Sequence, residues 1–132
     1  MGKSVAIEDT IYSVFASPAF VAEHLKVYPN NFVGVLSEEY LRIDIDTGSP
    51  SYSIRAAKGF FIAQIFIKAG IGTRRASVIS DILDRHFVGK SFKRTEGTLL
   101  FTNSTLSHYG VDKSNPVLHL SEYTINYSWS NN

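Results

Sequence analysis

The chain has 132 residues, 44% of them hydrophobic and 19% charged, a size and balance that bury one core without cross-links and exclude a disordered chain. Thirteen basic against twelve acidic side chains leave a formal charge of +1, which excludes a global electrostatic pull toward nucleic acid or anionic membrane, so any basic site is local. Cysteine is absent, which removes disulfides, thiolate nucleophiles and sulfur metal ligands.

The opening MGKSVAIEDT meets Glu8 and Asp9 before any long apolar run, unlike a secretory signal, and Ala6 stands where a myristoylation motif needs Ser or Thr. Ser4 is placed to cap a helix running to about Ala16, in which Ile7, Ile11, Val14 and Phe15 recur at three- and four-residue spacing. Leu25 to Tyr28 is a short strand candidate. In EYLRIDIDTG, Leu41, Ile43 and Ile45 alternate with Arg42, Asp44 and Asp46, the pattern of a half-buried strand. The run GFFIAQIFIKAG is apolar on both faces, which predicts a strand that is central in its sheet or covered on both sides; Gln64 interrupts it and it is too short to span a bilayer.

The segment TRRASVISDILDRHF places Ala76, Ile79, Leu83 and Phe87 along one stripe, with Arg75, Asp81, Asp84 and Arg85 left to solvent, Thr73 as cap and Gly89 as stop. SFKRTEGTLLFTNSTLSHYGV reads as short strands separated by turns, and LHLSEYTINYSW as a closing strand. The order predicts an α+β fold, a mainly antiparallel β-sheet packed by two main α-helices in a single domain, residues 1–132. PNNFVGVLSEE and DTGSPS are expected to be mobile loops.

GIGTRRAS opens a helix after a strand, yet it lacks a Walker lysine, and Arg75 stands where a dinucleotide loop needs Gly or Ala. Gly70 and Gly72 are read as a tight turn. His24, His86, His108 and His119 form no HxH or HExxH pair, so no metal site is expected. Asp44 and Asp46 share a strand face but lack an evident third ligand for two-metal chemistry. GxSxG is absent, and KGFFIAQIFIK lacks the pattern of an RNA-recognition strand. No catalytic, cofactor or metal residue is assigned and no enzymatic activity is expected.

Six segments follow one another in a telling order: an N-terminal helix, YLRIDI, FFIAQIFIKAG, RRASVISDILDRHFVGKSF, GTLLFTNSTLSHYG and SEYTINYSW. In this order the chain resembles the tail-terminator-like proteins of long-tailed bacteriophages, the tail completion family. The resemblance implies a non-enzymatic virion protein, assembled in the host cytoplasm, that closes into a hexameric ring at the head-proximal end of the tail. Such a ring would cap the tail tube protein, end its polymerisation and offer a surface to the head-completion or connector protein, while DNA passes through without sequence-specific binding. On that reading Arg74, Arg75, Lys90, Lys93, Arg94, Glu38 and Glu39 are candidate contacts to a neighbouring subunit or partner, since basic and acidic residues lie in separate segments. Asp44 and Asp46 are candidate lumen-facing acids that would repel phosphates. The alternative is a small nucleic-acid-binding regulator using the basic segment Arg74–Arg94, and a third reading is a small enzyme built on Asp44 and Asp46.

Overall fold

In the computed structural model, residues 3–29, 38–46, 56–113 and 115–131 are described; most of both loops expected to be mobile lies outside them. The elements in chain order are α1 (Lys3–Phe15), α2 (Pro18–Val21), β1 (Val27–Pro29), β2 (Tyr40–Asp46), β3 (Ala56–Lys68), α3 (Arg74–Phe87), β4 (Ser91–Lys93), β5 (Gly97–Val111) and β6 (Leu118–Asn131). The strands make one six-stranded sheet in the order β1-β2-β3-β6-β5-β4. Every pairing is antiparallel except that of β1 with β2. The fold is α+β, as the order of segments predicts.

Alternation explains where the core sits. Leu41 and Ile43 of β2, Phe61, Ala63, Ile65 and Ile67 of β3, and Tyr123 and Ile125 of β6 are all fully buried, on one face of the sheet. The apolar stripes of α1 and α3 cover that face: Ile7 and Ile11 from α1, and Ala76, Ile79, Leu83 and Phe87 from α3, join the same core cluster. Phe87 lies among its aromatic rings, with centroids 5.1 Å from Phe15, 4.9 Å from Phe61 and 5.1 Å from Phe101.

Three expectations need correction and one is met. Helix α1 begins at Lys3, so Ser4 lies within its first turn rather than before it. Strand β3 is central in the sheet, as expected; on the face opposite the core its Phe60, Ile62 and Gln64 are half-buried and Phe66 is buried, stacked on Tyr40 at 4.5 Å in a small second cluster with Leu118. The second apolar row of β3 therefore lies opposite the face that α1 and α3 cover. The region read as several short strands is instead a three-residue β4 and one long β5, whose pairing with β6 shifts register between Phe101 and Ser104 and between His108 and Gly110. Finally, Asp84 does not stay in solvent: its Oδ1 accepts hydrogen bonds from Ser104 Oγ and Tyr123 OH, both 2.7 Å, and pins α3 to the sheet.

Two glycines make room for aromatic rings rather than for turns. Tyr127 is paired with Gly59 across β3 and β6, and its hydroxyl donates to the backbone carbonyl of Asp46 at the end of β2. A Cβ on Gly59 would meet that hydroxyl at 2.6 Å, and a Cβ on Gly97 would meet Trp129 Cζ2 at the same distance.

Candidate functional site

The turn between β3 and α3 is built as its glycines suggest. Gly70 and Gly72 take φ of 86° and 81°, a region that favours glycine. Thr73 occupies the N-cap position, but its side chain makes no capping hydrogen bond, contrary to expectation.

The arginine pair then divides. Arg74 is exposed, whereas Arg75 donates Nε and Nη2 to the two carboxylate oxygens of Glu39 at 2.7 and 2.9 Å. This forked pair holds the guanidinium above its already high pKa, mainly through the hydrogen bonds to Glu39. Two of the seven residues expected to reach a neighbour are thus engaged with each other inside one chain. Glu38 pairs with Lys26 at 2.8 Å, and this contact lowers the carboxyl pKa and raises that of the amine. Both side chains remain largely exposed.

Lys90, Lys93 and Arg94 are exposed beyond the other end of α3, where Arg94 Nη2 donates to Ser13 Oγ of α1. Helix α3 has 14 residues and spans about 21 Å. The basic residues at or beyond its two ends therefore form separate patches, and Arg85 within the helix pairs with Glu23 at 3.1 Å.

Asp44 and Asp46 share the open face of the sheet, both exposed. Asp46 borders a groove of about 480 Å³ with Lys58, Phe60, Thr102, Asn126 and Ser128 among its lining residues. Further along this face Arg42 Nε donates to Gln64 Oε1 at 2.8 Å, and Gln64 Nε2 to Glu122 Oε2 at 3.2 Å. The open face is thus polar through its middle, acidic at one end and aromatic at the other. Among the described residues no three His, Asp or Glu side chains gather as a metal site. His108 and His119 do approach across β5 and β6, with centroids 6.2 Å apart, and His108 Nδ1 meets Ser121 Oγ at 2.7 Å.

Sequence reasoning missed four exposed apolar side chains that come from segments meeting at one end of the sheet. Ile71, Tyr109, Val111 and Val117 are 57%, 63%, 56% and 53% exposed. They lie at one end of the sheet, where Ala69 N bonds Val117 O and Val111 pairs with His119. The alternating HYGV at the end of β5 carries the only sequence signal for them, and Gly110 disguises it as a turn.

No family model matches the chain, and no curated protein does. A solved structure 17% identical in sequence is similar over 90% of this chain and 86% of its own length, with a TM-score of 0.60. At that identity the likeness shows the fold alone.

Proposed function

We propose that this protein is an assembly subunit of the tail-terminator type, which closes into a ring of about six copies and performs no reaction. The ring would cap a phage tail tube, stop its growth and receive the head-completion protein, in the virion at the head-proximal end of the tail.

The observation that carries this reading is the apolar end formed by Ile71, Tyr109, Val111 and Val117. Apolar side chains exposed at one end of a sheet fit a surface that a neighbour covers. The exposed acids Asp44 and Asp46 on the open sheet face fit a lumen that DNA traverses, since carboxylates repel phosphates. The nucleic-acid alternative draws less support, because the basic residues at or beyond the two ends of α3 lie apart, Arg85 pairs with Glu23 and Arg75 is held by Glu39.

Light scattering with negative-stain microscopy tests the reading, alone and after mixing with purified tail tubes. Rings, free or at tube ends, support it. A protein that stays monomeric and leaves tube ends bare refutes it, and salt-dependent DNA binding by that monomer would favour the alternative.

A further inference from the structure

We infer that the uncovered edge of β5, from Thr102 to Val111, is the seam along which a neighbouring copy of this chain adds an extended segment. The inference rests on the ring reading above and names the surface that reading requires.

Strand β4 pairs with β5 only at Thr98, Leu99 and Leu100, and Phe101 exchanges backbone hydrogen bonds with Gly89 and Lys90. Beyond Phe101, no described strand pairs with that side of β5. The edge runs on for roughly 33 Å at about 3.3 Å per residue. Over Ser104 to His108, between the two register shifts, backbone N–H and C=O groups point outward from alternate residues.

Proteins usually blunt such an edge with bulges, as at the two register shifts of β5, or with lysine, proline or shortness. The opposite edge of this sheet shows that device, since β1 is three residues long and ends at Pro29. The β5 edge reads TNSTLSHYGV, with neither a charged residue nor a proline. Its two register shifts leave Ser104 to His108 as a regular stretch against β6.

The chemistry of the edge selects its occupant. A backbone ladder accepts an extended segment, and the absence of charge along it matches an uncharged one. Tyr109 and Val111 add apolar contact at the far end of the same strand. A second copy meets these conditions without repulsion because the chain carries a net charge of only +1. In a closed ring the contact is heterologous, so the β5 edge meets a different patch of the next subunit. Pairing of β5 with its own counterpart would be isologous and would stop at two copies.

Hydrogen exchange on the full chain, as monomer and as assembled species, reads the edge directly. Exchange over 102–111 is expected to slow by at least about tenfold on assembly. The double variant Tyr109→Lys, Val111→Lys is expected to keep its fold, since both side chains are exposed, and to weaken assembly by roughly thirtyfold or more. Val21→Lys, on an apolar residue exposed elsewhere, is expected to assemble normally. Rings whose 102–111 amides exchange as fast as in the monomer, or a double variant that assembles like the wild type, overturn the seam and leave the ring reading intact. A closed dimer with slowed exchange keeps the seam and removes the ring. A wild-type chain that is monomeric at every concentration, with and without tail tubes, overturns both.

Discussion

Arg75 grips Glu39 through two hydrogen bonds, Nε to Oε1 at 2.7 Å and Nη2 to Oε2 at 2.9 Å, and so ties the first turn of α3 to the residue before β2. The side chains remain 39% and 32% exposed, so solvent screens much of their attraction. A double-mutant cycle with Arg75→Ala and Glu39→Ala is expected to give a coupling of about 0.5–1 kcal/mol in urea unfolding. Arg75→Lys should recover only part of it, because an ammonium lacks the planar fork. Zero coupling would mean that the pair merely decorates the surface.

The glycines separate two costs that substitution usually mixes. Gly59→Ala and Gly97→Ala push a methyl group into Tyr127 and Trp129, and each is expected to cost about 1–3 kcal/mol by overpacking. Gly70→Ala meets nothing within 4 Å, so only its positive φ opposes the change, at about 1–2 kcal/mol. Chemical denaturation of the three variants, with Trp129 fluorescence as a probe, orders them. A shifted Trp129 emission in Gly97→Ala but not in Gly70→Ala is the expected signature.

Stability should fall in alkali. Burial first, then hydrogen bonding to Asp84 and its charge, raise the Tyr123 pKa far above the ordinary value of 10.0. Burial and the charges of Asp46 and Glu8 raise that of Tyr127. Above pH 10 the unfolded chain releases these phenolic protons while the folded chain retains them. Their contribution is therefore complete below pH 10 and declines as pH rises beyond it, by about 1.4 kcal/mol per pH unit for each tyrosine. Equilibrium unfolding between pH 9 and 11 checks the sign. Tyr123→Phe should flatten the decline at a cost of about 0.5–1.5 kcal/mol at neutral pH.

Phe87 is fully buried and touches three other rings, so Phe87→Ala is expected to cost about 3–5 kcal/mol. Phe92, half-buried at the rim of the same ring cluster, should cost clearly less on the same change. Thermal melts of the two variants make the comparison. Equal losses would mean that Phe87 is packed no more deeply than Phe92.

Local periodicity carried much of the fold. Ala76, Ile79, Leu83 and Phe87 are legible as a stripe because one helix face meets one sheet face, and Leu41 and Ile43 are legible for the same reason in a strand. Where the core is not the only apolar environment, the pattern misleads. Phe66 looks like a second core row on β3, yet it is buried by Tyr40 on an otherwise open face. Strand β5 hides its continuity because polar, uncharged residues and Gly110 imitate turns. The engagement of Arg75 was out of reach for another reason: Glu39 lies 36 positions earlier, and only the packing of α3 against the sheet brings them together. The same holds for the apolar end, whose members come from three separate segments of the chain.

The strand order also sets a timetable. The centre of the sheet joins β3 to β6, so Gln64 bonds Glu122, 58 positions away. The loop entropy of that closure must be overcome before its contacts contribute, which makes the step slow. β5 and β6, by contrast, are neighbours in sequence and can meet early as a hairpin. During synthesis β6 emerges after the other five strands of the sheet, so one edge of β3 stays unpaired until then. A nascent chain of this design depends on prompt completion of β6, and slow translation there would favour aggregation over folding.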